Sequence, residues 1–117
     1  MKTICVMRDL YKALSQFEIE FEKVYGVTLN EAMVLCSLNE AQQKMTSSAI
    51  ADRTEMTPSH TSKVISSVED QGYINRSLGK EDKRQMFFGL TPTGKTLVDQ
   101  LILDKMEIPE MIKPIFM

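Results

Sequence analysis

The sequence predicts a mainly α-helical, α+β fold in which helices are interrupted once, by a two-stranded hairpin. Three observations carry this. Apolar residues recur at helical spacing in several separate stretches. Two short helical segments near the centre are parted by only three residues, Glu55-Met56-Thr57, as in a helix-turn-helix. Directly after them, residues 73–77 and 85–90 read as strands joined by the charged connection 78–84, which contains one Gly. Helix, turn, helix and hairpin in that order make a winged helix-turn-helix, the hairpin being the wing.

Residues 3–25 form the first expected helix. Met7, Leu10, Leu14, Phe17, Phe21 and Val24 alternate spacings of three and four into one apolar seam, widened by Ile4 and Tyr11. Glu18, Glu20 and Glu22 fall elsewhere. At about 1.5 Å per residue the helix exceeds roughly 30 Å, longer than a small winged domain covers, so part of the seam is expected to meet a second subunit. Gly26 stops it. Thr28 and Glu31 have capping-box spacing and open a helix to about residue 39. Its apolar residues nearly encircle it, which places it in the core.

A polar connector, 40–44, leads to a short helix over 46–54. The next helix spans 58–71. Thr57 suits its N-cap, Pro58 its first turn and Gly72 its stop. Thr61, Val64, Ile65 and Val68 share one face, leaving Ser59, Ser62, Lys63, Ser66 and Ser67 on the others. A solvated helix ordinarily carries long charged side chains, because Ser is a mediocre helix former. Short hydroxyls instead allow close approach to another surface and can donate to phosphates or base edges.

After the hairpin, Thr91 caps a helix whose stripe of Leu97, Val98, Leu101, Ile102 and Met106 runs to 108–109. Five of the eight residues in the tail 110–117 are large and apolar. Chain ends are usually polar and loose, so this tail is expected to be buried, across a dimer.

The 117 residues suit one domain. Its expected parts are an N-terminal dimerisation helix (1–27), the helix-turn-helix and wing (28–90), and a C-terminal dimerisation helix with its tail (91–117). No apolar run approaches the roughly 20 residues of a membrane span, and the N-terminus lacks the apolar core of a signal peptide. A cytoplasmic protein without membrane contact is expected. The net charge of −2 argues against a general nucleic-acid coat. Between His60 and Arg84, however, five Lys or Arg face four Asp or Glu. Cys5, Cys36 and the single His60 have no metal-ligand spacing, and Cys36, in an apolar helix, reads as core.

Residues 89–96, Gly89-Leu90-Thr91-Pro92-Thr93-Gly94-Lys95-Thr96, satisfy the pattern G-x-x-x-x-G-K-[ST] of a phosphate-binding loop. That loop wraps phosphate with free N–H groups between a buried parallel strand and a helix. Here Pro92 removes one N–H, the Thr91 cap draws Gly94 into a helical turn, and no βα units precede it. Nucleotide hydrolysis is rejected, and no nucleophile–base–acid set supports another enzyme.

The segments Ile50-Ala51, Ser62-Lys63-Val64, Val68-Glu69-Asp70-Gln71-Gly72-Tyr73-Ile74, Asp82-Lys83-Arg84 and Leu90-Thr91-Pro92-Thr93-Gly94 resemble the MarR family of bacterial transcription regulators. In that family an Asp-x-Arg pair marks the wing and Leu-Thr-x-x-Gly opens the following helix. The motifs cover about half the chain, and the flanking helices correspond in placement. The resemblance implies a homodimeric, sequence-specific regulator of double-stranded DNA, a repressor on a palindromic site, with no cofactor. It also implies a small-molecule effector bound between the dimer helices and the reading domain. Some members sense peroxides through an N-terminal cysteine, for which Cys5 is the counterpart in placement. Members usually carry a longer C-terminal helical pair than this chain.

Ser59, His60, Ser62, Lys63 and Ser66 are the candidates to face DNA, with Lys63 donating to phosphate or guanine. Arg76, Lys80, Lys83 and Arg84 are the candidates near and in the wing, and Asp82 would orient Arg84. The alternative is a winged-helix module for protein contact without DNA binding, favoured by the acidic net charge and the serine-rich helix.

Overall fold

Helix boundaries follow the punctuation of the sequence at most points. The computed structural model describes residues 2–101 and 106–116. In chain order it has α1 (Thr3–Tyr25), α2 (Leu29–Ala41), α3 (Ser47–Thr54), α4 (Pro58–Asp70), β1 (Ile74–Leu78), β2 (Met86–Leu90), α5 (Pro92–Gln100) and a 3-10 helix, Glu110–Phe116. The chain forms two compact units, Met1–Leu29 with Ile102–Met117, and Asn30–Leu101. Mostly helical with one small antiparallel sheet, it is the winged helix fold expected from the sequence.

In the first unit, α1 ends at Gly26, whose φ of 78° is the left-handed cap and whose amide donates to Glu22 O at 2.8 Å. Phe17 and Phe21 are buried, and the Phe21 ring lies 4.9 Å from that of Tyr25, centroid to centroid. Leu10 is half-buried, and the rest of the seam stays open: Ile4 is 73 % exposed, Tyr11 74 % and Met7 55 %. Within the single chain, Met111 and Ile115 of the tail are also exposed, so the chain itself does not provide the burial expected of them.

In the second unit, three threonines cap three helices, Thr57 and Thr91 as expected and Thr46, read from the sequence as the first residue of its helix, in addition. Thr46 Oγ1 accepts from Ala49 N at 3.2 Å, Thr57 Oγ1 from His60 N at 3.2 Å, and Thr91 Oγ1 from Gly94 N at 3.0 Å. The turn between α3 and α4 depends on Glu55, a non-Gly residue at φ 61°. Val34, Leu35, Ile50, Val64, Ile65, Val68, Ile74 and Phe88 are buried and form its core. β1 pairs antiparallel with β2 from Ile74↔Leu90 to Leu78↔Met86.

Two differences from expectation stand out. The helix after the wing was expected to reach residue 108. Instead α5 stops at Gln100, and Leu101 leaves helical geometry at φ −85°, ψ 53°. Residues 102–105, Ile102 among them, lie outside the described residues, and 106–109 are not helical. Pro109 disfavours the α conformation at Ile108; nothing explains the break at Leu101. The second difference is Met45, expected merely to precede a helix. It forms an isolated bridge to Phe88, with Met45 N to Phe88 O at 2.9 Å and the return bond at 2.8 Å. One residue is too short to announce a strand by alternation.

Gly94, the second glycine of the phosphate-loop pattern, has a packing role. A Cβ built there would lie 2.0 Å from Tyr73 O, so α5 can press its first turn on the start of the wing only through a glycine. Gly→Ala inside a helix ordinarily stabilises by about 1 kcal/mol. Here the sign should reverse: Gly94→Ala is expected to destabilise by about 3 kcal/mol, as overpacking against backbone does. Urea unfolding measures it, and an unchanged midpoint would contradict the contact.

Candidate nucleic-acid interface

Helix α4 is built to keep one side free. Its apolar side, Thr61, Val64, Ile65 and Val68, is buried. Opposite it, Ser59, Ser62, Lys63 and Ser66 are all exposed, as placed from the sequence. Lys63 makes no ion pair among the described residues.

Between those two sides lie flanks, and polar groups hold both. On one, His60 Nε2 is hydrogen-bonded to Asn30 Nδ2 at 3.0 Å. Farther along the same flank, Ser67 Oγ and Gln71 Nε2 both donate to Glu31 Oε2 at 2.6 Å. Glu31 is only 7 % exposed. On the other flank, Glu69 accepts from Arg76 Nε and Nη2 at 2.6 Å each, a bidentate pair. The Arg76 guanidinium also lies 5.4 Å from the centre of the Phe88 ring. This pair depresses the Glu69 carboxyl pKa through the Arg76 hydrogen bond and raises that of Arg76.

These flanks refine the site. His60 and Arg76, both candidates for DNA contact, are each engaged in holding α4 to a neighbour. Asn30, Glu31, Glu69, Ser67 and Gln71 were missed as partners. Glu31 had the spacing of a helix cap, and nothing local marks a carboxylate whose donors lie 36 and 40 residues on.

The wing turn is fixed by one carboxylate. Asp82 Oδ1 accepts from the Arg84 backbone N at 2.9 Å and from Arg84 Nε at 3.2 Å, while the Arg84 side chain stays 92 % exposed. The Asp-x-Arg spacing thus aims an arginine into solvent with its stem restrained. Lys80 and Lys83 are exposed beside it and make no ion pair among the described residues. Gly79 is required here because an added Cβ would meet Asp82 O at 2.6 Å. Behind the sheet, the Lys44 stem passes over Gly89 and its Nζ donates to Ser77 Oγ at 3.1 Å. An open groove of about 610 Å³ runs between the start of α3, α4 and the wing, lined in part by Ser47, Ser48, Ser62, Ser66 and Arg76.

Cys36 is half-buried rather than fully enclosed, and burial, with Glu40 nearby, pushes its thiol pKa up. Among the described residues no group of three or more His, Cys, Asp and Glu could hold a metal ion. No helix among them is long and apolar enough to cross a membrane.

This geometry defines a class, and comparison with known proteins agrees. The family model for a winged helix DNA-binding domain matches residues 27–94, and the chain belongs to that family. It is 29 % identical over 93 residues to the HTH-type transcriptional regulator PapX of Escherichia coli, covering 79 % of this chain and 57 % of PapX. The chain thus spans little more than half the length of the curated relatives it matches. Among solved structures it resembles the Staphylococcus aureus MepR–DNA complex, with TM-score 0.76, 21 % identity and coverage of 87 % and 75 %. YusO of Bacillus subtilis has TM-score 0.68, 23 % identity and coverage of 99 % and 94 %. MepR and YusO are MarR-family proteins, so the resemblance read from the motifs is borne out in the fold.

The two bonds from Arg84, backbone first, hold the Asp82 carboxyl pKa below its ordinary value. A depressed carboxylate contributes its ordering above the unfolded pKa and loses it as pH falls through the folded one. The turn should therefore stay ordered at neutral pH and down through the ordinary carboxylate range, about pH 4, and loosen only below it. The Arg84 amide shift followed by NMR against pH reports this. A midpoint at the ordinary Asp value would contradict the paired geometry.

Proposed function

We propose that the chain is a double-stranded-DNA-binding transcription regulator of MarR type, acting in the cytoplasm as a homodimer that represses from a palindromic site. The observation carrying this reading is the bare hydroxyl face of α4 beside an outward-aimed wing arginine. Short side chains let the helix enter a major groove, about 12 Å wide, without long residues to displace. Ser59, Ser62 and Ser66 would donate to base edges or phosphates and Lys63 to phosphate or guanine. Arg84, with Lys80 and Lys83, would meet the backbone or the narrow minor groove, where negative potential is concentrated. The relatives support it: PapX is named a transcriptional regulator, and MepR has been solved on DNA. The uncovered apolar seam of α1 supports a second copy of the chain, and with it two half-sites centred about 10 base pairs apart. A small-molecule effector belongs to this proposal by resemblance alone.

Lys63→Ala should weaken specific binding by about 1–3 kcal/mol if it reads a base, and should flatten the salt slope by about one if it touches phosphate. Ser66→Ala should cost less, whereas Ser66→Leu should block approach. Gel shift on the DNA upstream of its own gene, at two salt concentrations, measures all three. Wild-type binding by every variant would remove α4 from the reading role.

In the wing, Asp82→Ala deletes a negative charge near DNA yet should still weaken binding, because Arg84 loses its restraint. Arg84→Ala should be worse, and the double variant should cost less than the two losses added. Titration of the four proteins against one DNA fragment at fixed salt decides this. Tighter binding by Asp82→Ala would leave Arg84 as an ordinary surface charge.

A further inference from the structure

The carboxylate of Glu31 occupies an electrostatically mixed position. It lies in the first turn of α2, where the helix dipole favours negative charge. It also lies against the last turn of α4, where the dipole opposes negative charge, since it binds Ser67 and Gln71. A buried charge needs hydrogen bonds to be tolerated. An apolar side chain would join the helices without that demand, but also without direction. Dispersion contacts let packed helices slide or turn by small amounts, whereas two short charge-assisted bonds to one oxygen fix separation and rotation together.

From this we infer that Glu31 is a positioning residue for DNA recognition, setting the rotation and depth at which α4 meets DNA without touching DNA itself. Ser67 and Gln71 stand one turn apart, so bonds to both define the rotation of α4 about its axis. Gln71 is the C-cap residue, and its Nε2 donates to Ser67 O at 3.2 Å as well, so the clamp and the end of the helix are one unit. Asn30, the residue before Glu31, holds His60 near the other end of the same flank. Two adjacent residues of α2 therefore secure both ends of α4. On the far flank the Glu69–Arg76 pair ties α4 to β1. Base-edge readout requires donors to be held within about 0.5 Å and 10–20° of their positions. A serine face, whose side chains are too short to reach round a misplacement, makes that demand strict.

The inference rests on α4 being the reading helix, and the experiment separates the two. The probe is a duplex that the wild-type full-length protein selects from a random pool, with a scrambled duplex of the same composition as reference. Glu31→Gln, Glu31→Ala and Ser67→Ala are compared with Ser66→Leu, and far-ultraviolet circular dichroism confirms that each is folded. A positioning role predicts that Glu31→Ala and Ser67→Ala lower the ratio of specific to non-specific affinity by about tenfold, the worth of one misaligned base contact. Affinity for the scrambled duplex and the salt slope should stay as in wild type, and Glu31→Gln, which keeps the shape and an accepting oxygen, should recover part of the ratio. Should Glu31→Ala prove unfolded, Ser67→Ala and Glu31→Gln carry the test. An unchanged ratio in folded variants, while Ser66→Leu abolishes selective binding, overturns the inference and leaves the reading helix in place. Wild-type binding by Ser66→Leu overturns the reading, and the inference with it.

Discussion

A helix offered to DNA, as proposed for α4, cannot be covered on its outer side, and the contacts beneath and beside α4 meet that constraint. Helix α4 can be secured only from beneath and along its flanks. Beneath, Thr61, Val64, Ile65 and Val68 are buried, which resists pulling away but is weakly directional. Direction comes from the polar bonds at the flanks: Asn30–His60 and Glu31–Ser67–Gln71 on one side, Glu69–Arg76 on the other. Each removes charge or donors that would otherwise face outward. What remains outward is Ser59, Ser62 and Ser66, Lys63, which makes no ion pair among the described residues, and Asp70 at the helix end, a face of mostly short side chains that can be approached closely.

The wing meets the same problem with less structure. A seven-residue connection has little to pack, so its order depends on local bonds. Gly79 N donates to Gln85 O at 2.9 Å, and Gln85 N to Asp82 O at 3.1 Å. Asp82 then restrains Arg84 at both backbone and side chain. Exposed ion pairs contribute little to stability; under the proposed function this one would lower the entropy lost when a long side chain is immobilised on DNA. The net charge of −2 is compatible with this. Under the proposed function attraction would come from Lys63, Lys80 and Lys83, which make no ion pair among the described residues, and from Arg84, rather than from the whole surface, so binding should depend on sequence more than on bulk charge.

Much of this was legible in the sequence because its signals are local. Thr57 and Thr91 each announce the helix that starts at the next residue, Gly26 and Gly72 each stop one, and Asp82 and Arg84 lie close enough for one to imply the other. The serine face of α4 followed from helical spacing alone. Long-range polar pairings did not follow. Glu31 carried the pattern of a cap, and its burial against α4 depends on how α2 crosses that helix, which periodicity does not encode. Arg76 read as one more basic group because its partner, Glu69, sits across the turn at Gly72. The Met45 bridge escaped for want of length, and the early end of α5 breaks an apolar stripe that continues without interruption.

The central claim, that α4 and the wing tip form the DNA-facing surface, is tested most directly by backbone amide shifts recorded while a selected duplex is titrated into the full-length protein. The account predicts the largest changes at Ser59, Ser62, Lys63 and Ser66 and at 80–84, with smaller ones at Asn75 and Lys95 behind the sheet. Changes concentrated on the back of the wing or on α1, with the serine face unmoved, would contradict it.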